Sequence, residues 1–130
     1  MSELAAAMPF AGRLGIEIEA ASADEVRGGL AWAEDLCTAG GVMHGGALMS
    51  LADGLGGACA FLNMPAGATT ATIESKTNFF RAVRDGRVTG VARPLHVGRS
   101  IVVVQTDLRD ASGIHNVSRR GIRVRPDAAK

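Results

Sequence analysis

Between Gly45 and Leu62 the chain carries its one long segment patterned at helical spacing. Leu48, Leu51, Leu55, Ala58 and Leu62 recur every three or four residues, and Asn63, Pro65 and Gly67 end the pattern. The other patterned segments have the length and alternation of strands. Leu14–Ala20 and Val26–Trp32 flank the turn-like sequence SADE and read as a hairpin. Thr69–Phe80, Arg87–Leu95, Ser100–Arg109 and Ile114–Arg125 follow, separated by RDG, HVGR and DASG, which are rich in turn formers. Short connections between these four predict an antiparallel meander. Two strands, one helix and four strands predict an α+β domain in which a strongly apolar helix packs across one curved antiparallel sheet of about five to six strands.

A length of 130 residues suits one domain spanning 1–130, with a structured core at about 14–125. Hydrophobic residues at 47% and charged residues at 21% exclude a disordered tail. Asp53 and three glycines interrupt the apolar run from Gly45, which fits a buried helix rather than a bilayer span, so no membrane partner is expected. The first residues, MSELAAAMPFAGRLG, lack the basic and apolar regions of a secretory signal. Cys37 and Cys59 are too few for a disulfide scaffold, and a reducing, cytoplasmic setting is expected. Neither they nor the three histidines make a metal-ligand spacing, so neither a metal nor another cofactor is expected. With 4% aromatic residues and no tyrosine, the chain lacks the stacking platforms of nucleic-acid binders.

Charge is unevenly distributed. Residues 1–80 hold 3 basic and 9 acidic side chains, and the remainder 11 and 4, giving halves of −6 and +7. Arginine supplies every basic residue of the second half except Lys130. Guanidinium forks bind oxyanions bidentately, which suits phosphate, although an arginine-decorated strand surface has the same composition.

Along the helix Gly46, Ser50, Asp53, Gly57 and Ala60 share a stripe of small residues. Each interior glycine costs about 1 kcal/mol relative to alanine, so Gly54, Gly56 and Gly57 need a compensating reason such as close packing or room for a ligand. Asp53 on this stripe is either a functional carboxylate or a structural one satisfied by a hydroxyl or an arginine. The preceding loop, TAGGVMHGG, runs straight into the helix N-terminus. Unpaired amides and the positive end of the helix dipole there suit Gly45 N–H to an oxygen that gains negative charge; a glycine-rich turn with a packing role is the other reading. His44 alone is as consistent with a structural hydrogen bond as with chemistry.

The segment HGGALMSLAD, preceded by TAGGVM and followed by the apolar helix, resembles the signature of hotdog-fold acyl-CoA thioesterases of the PaaI-like, or 4-hydroxybenzoyl-CoA-thioesterase-like, group. The likeness continues through TIESKTNFFRAVRDGRVTGVARPLHVGRS and covers about Leu14 to Val124. It implies a long helix wrapped by an antiparallel sheet, and hydrolysis of an acyl-CoA to free acid and coenzyme A. It places Asp53 as catalytic carboxylate, Gly45 as the amide that polarises the thioester carbonyl, His44 as a supporting hydrogen bonder and Thr72 as the hydroxyl that orients water. Thr38 stands where the family often has asparagine, with a shorter reach. SRRGIRV is a second departure, with Arg119 and Arg120 where small residues are usual.

His44 and Asp53 are nine residues apart, roughly 13 Å along a straight helix at about 1.5 Å per residue. One chain cannot bring both to a compact site, whereas a two-fold homodimer can, and the resemblance implies the same; pairing into a homotetramer is open. Asp53 acts either as general base toward water or as nucleophile through a mixed anhydride. Coenzyme A brings phosphates, for which Gly98, Arg99 and Ser100 in the turn after HVG, then Arg81, are the candidates, and Gly46 is a further substrate-binding candidate. Phe61, Phe79 and Phe80 are expected in the core. Three rival readings are a hotdog hydratase or dehydratase, a non-catalytic acyl-CoA-binding module, and a nucleic-acid-binding domain resting on the basic half alone.

Overall fold

The computed structural model describes residues 4, 6–110 and 112–125. In chain order it contains α1 (Pro9–Leu14), β1 (Glu17–Ala21), β2 (Val26–Ala31), short 3-10 turns at Glu34–Leu36 and Ala39–Gly41, and α2 (Gly45–Phe61). Then come β3 (Thr69–Phe79), β4 (Arg87–Val97), β5 (Ile101–Asp110) and β6 (Gly113–Arg125). The α+β order of two strands, a long helix and four strands is as expected.

The start of the first predicted strand needs correction. Leu14 is the last residue of α1, and Gly15, at φ 86°, turns the chain in the left-handed region that glycine tolerates. Pro9 opens that helix, where a missing N–H loses no bond. The apolar–polar alternation beginning at Leu14 therefore belongs to a strand only from Glu17.

The sheet order is β1-β2-β4-β5-β6-β3, with every pairing antiparallel. Strands β4, β5 and β6 form the expected meander, but β3 does not lie beside β4. The edge of β4 is taken by β2, and the connection from Phe79 to Arg87 carries the chain from β3, beside β6, across to β4. One edge of the sheet is thus β3, all 11 residues of it.

Helix α2 buries Leu48, Leu51, Leu55, Ala58 and Cys59 against the sheet. Each fully buried leucine contributes roughly 1.5–3 kcal/mol by leaving water. The closest approach is made by Leu55. Gly28 of β2 lies opposite Gly90 of β4, and a Cβ built on either would stand 2.7 or 2.5 Å from a Leu55 methyl. Two glycines in register open the hollow into which the helix settles. From the sheet side, Val102, Val104, Thr106 and Leu108 alternate inward along β5. The predicted core phenylalanines are not there: Phe61, Phe79 and Phe80 are 53, 48 and 61% exposed in the single chain.

Candidate active site

The loop before α2 is fixed by backbone bonds. Thr38 N–H donates to Val42 O, His44 N–H to Leu36 O and Met43 N–H to Val83 O, each at 2.8 Å, and the Trp32 indole N–H caps Gly41 O. Gly40 and Gly41, at φ 80° and 75°, make the turn. His44 is the N-cap, and its Nδ1 accepts the Gly46 amide at 2.7 Å. The Gly46 amide is therefore engaged, while Gly45 N–H, among the described residues, has no acceptor. A Cβ at Gly45 would stand 3.3 Å from the Phe79 ring, so the strand end crowds this position and leaves the backbone as what it presents. Thr38 is exposed at the head of the turn and its side chain makes no cap bond.

Eight residues further along the straight helix, Asp53 emerges on the flank not covered by the sheet, its side chain 53% exposed. Its partner is Arg120 of β6. Arg119 and Arg120 point to opposite sides of the strand: Arg119 Nε donates to Gln105 Oε1 at 2.9 Å, whereas Arg120 lies over α2. Arg120 Nη1 donates to the Asp53 carbonyl at 2.7 Å and stands 2.9 Å from Asp53 Oδ1. On the other side of the same guanidinium, Nε at 3.2 Å and Nη2 both donate to Thr72 Oγ1 of β3. The small-residue stripe makes this crossing feasible, since a Cβ at Gly57 would stand 3.0 Å from Arg120 Nη1. With the carboxylate half-exposed, the ion pair contributes only about 0–1 kcal/mol to stability, so its effect is mainly on geometry.

Asp53 and Arg120 sit at the polar side of a cavity of about 620 Å³, together with Ser50 and Ser75. Its apolar walls include Met8 and Phe10 from the α1 side and Met49, Ala58 and Phe61 from α2. Proximity in one chain thus joins Asp53 and Thr72 but leaves His44 and Gly45 a helix half-length away. Arg81 donates to Ser112 O at 2.5 Å, at the β5–β6 turn. Gly98, Arg99 and Ser100 form the β4–β5 turn at the other end of the sheet, tied by Gly98 N–H to Ile101 O and by Val124 N–H to Ser100 O. Within one protomer these two arginine groups cannot meet the same phosphate.

Sequence reasoning noted Arg120 only as a departure from a pattern and gave it no role. Its function-bearing signal was a long cation set on the strand parity that faces a helix with glycines at 56 and 57. The α1 wall was also missed, although Pro9 and Gly15 bracket it as a short helix. The described residues contain no cluster of three or more His, Cys, Asp or Glu arranged to hold a metal ion, and no helix long and apolar enough to cross a membrane.

The model of the thioesterase superfamily matches residues 40–115, from the glycine turn to the first residues of β6. The chain belongs to the thioesterase superfamily. Among solved structures, this thioesterase-superfamily chain superposes on thioesterase HI1161 from Haemophilus influenzae with a TM-score of 0.85 at 32% identity, covering 91% of this chain and 84% of that one. A mutant of thioesterase PA1618 from Pseudomonas aeruginosa gives 0.90 at 29%, covering 96% and 93%. Together with the observed helix and six-stranded sheet, these likenesses establish the hotdog fold. By sequence the chain is 36% identical over 73 residues to the 1,4-dihydroxy-2-naphthoyl-CoA hydrolase of Escherichia coli strain K12, a match spanning 56% of this chain and 54% of that protein.

Proposed function

We propose that this member of the thioesterase superfamily hydrolyses an acyl-CoA thioester to a free acid and coenzyme A at a site composed by two chains. The observation that carries the reading is that Arg120, which with Asp53 lines the polar side of an apolar cavity, gathers both Asp53 and the Thr72 hydroxyl of β3. The acyl group enters that cavity, whose walls suit an aliphatic or aryl chain without charge. Asp53 takes a proton from water as general base, the water oxygen bonds to the thioester carbon, and Gly45 N–H of the partner chain stabilises the oxyanion. Collapse expels the coenzyme A thiolate, a leaving group that needs no strong acid catalyst.

The free β3 edge supports a two-fold dimer, since an exposed strand carrying Ile73 and Phe79 invites pairing. Strand β3 runs from Thr69, at the end of the sheet that holds the β4–β5 turn, to Phe79 at the other end. Antiparallel β3–β3 pairing therefore carries Arg81 of one chain toward Gly98, Arg99 and Ser100 of the other, and gives coenzyme A phosphates a shared basic rim. A 1,4-dihydroxy-2-naphthoyl-CoA hydrolase among the relatives supports the choice of a CoA ester.

The test is a panel of acyl-CoAs followed by free-thiol release, with Asp53→Asn alongside. Hydrolysis by the native protein and a loss of at least about 10²-fold in the variant, with its fold retained, are expected. The Asp53–Arg120 pair also favours a second reading, an acyl-CoA-binding module with a neutralised carboxylate; stoichiometric binding without thiol release would select it.

A further inference from the structure

We propose that Arg120 is a positioning residue that sets the direction of Asp53 and the hydrogen-bond polarity of Thr72; the inference rests on the hydrolytic reading above. Thr72 Oγ1 accepts from both Nε and Nη2 of Arg120. A hydroxyl oxygen has two lone pairs, and with both engaged its only remaining capacity is to donate its proton. Thr72 is thereby an obligate donor toward whatever lies beside it. A water that accepts this proton and donates one of its own to Asp53 keeps a lone pair for the thioester carbon, which is the orientation that hydrolysis needs.

Asp53 is constrained by the same group. Nη1 contacts both its main-chain carbonyl and Oδ1, so the carboxylate is drawn back along the helix flank toward Arg120. No bond within the described residues engages Oδ2, which is left as the oxygen that can take the proton from water. A lysine could not do both jobs, because a point-like ammonium lacks the two-sided fork that separates Thr72 on one edge from Asp53 on the other. The device depends on the glycine at 57, whose missing side chain leaves the guanidinium its path across the helix.

The experiment compares Arg120→Ala, Arg120→Lys and Asp53→Asn with the native enzyme, using hexanoyl-CoA and benzoyl-CoA and free-thiol detection. Arg120→Ala is expected to lose at least about tenfold in kcat with KM changed less than about threefold, and to regain activity with added ethylguanidinium but not with sodium. Arg120→Lys should recover little. Gly57→Ala supplies a second variant that keeps both charges and a sound helix while displacing the guanidinium, and should lower kcat in the same sense. Thr72→Val should cost much less in the Arg120→Ala background than in the native one, since the two act through the same pair of hydrogen bonds.

Unchanged or raised kcat in Arg120→Ala, an effect confined to KM, or no response to ethylguanidinium would overturn the positioning role while an inactive Asp53→Asn left the hydrolytic reading standing. Full turnover by Asp53→Asn, or no thiol release by the native enzyme, would remove both.

Discussion

At the start of α2 three consecutive residues divide the helix N-terminus between them. His44 turns its Nδ1 inward to accept Gly46 N–H, which is the structural use of a histidine at this place, and Gly45 keeps its donor. Gly45 is the first helical residue, where proline is tolerated because the N–H has no intrahelical partner, and His44 at ψ 135° already has the extended backbone that precedes proline. Gly45→Pro therefore deletes one N–H, and its added Cβ, 3.3 Å from the half-exposed Phe79 ring, requires that ring to turn slightly aside. Turnover should fall about 10²–10³-fold, the usual loss for an oxyanion donor, while circular dichroism and the melting temperature stay close to native; unchanged turnover would remove Gly45 from the mechanism. His44, Gly45 and Asp53 could be singled out as candidates because the loop–helix signature and the small stripe carry them in local sequence, and Thr72 only through the family resemblance. Arg120 was not, because its role comes from a strand 67 residues beyond Asp53 lying over glycines whose purpose only the fold reveals.

At the scale of elements, periodicity found α2 and the strand segments, since burial on one face leaves a trace in every turn or alternate residue. It could not say that β3 belongs beside β6, because strand order depends on which edges are already taken. It also lost α1, too short to show a period. The inner face of α2 offers a chemical test. Cys59 is fully buried there, and burial pushes its thiol up to about 11 from an ordinary 9.0. A raised folded value means that the folded chain holds the proton more tightly. The corresponding stability is complete below pH 9 and is lost as pH rises toward 11, by an amount on the order of 2–3 kcal/mol. Urea midpoints at pH 8 and pH 10.5 should differ more in the native protein than in Cys59→Ala; equal differences would show that this thiol does not carry the effect.

For the whole molecule, the free edge of β3 and the exposed Ile73, Phe79 and Phe80 are the features a second copy would cover. A dimer by sedimentation, converted to monomer by Ile73→Lys with loss of activity, is the expected behaviour. The helix places Asp53 and Gly45 about 12 Å apart along its axis in one chain, so the account requires them to meet between chains. The most direct measurement mixes two inactive proteins. Asp53→Asn and Gly45→Pro protomers, unfolded together and refolded at equal amounts, form mixed dimers in which one site takes Asp53 from one chain and Gly45 from the other. Recovery of roughly a quarter of native acyl-CoA hydrolysis, as random pairing into two-fold dimers requires, is the predicted result. Mixed dimers as inactive as either parent would contradict it.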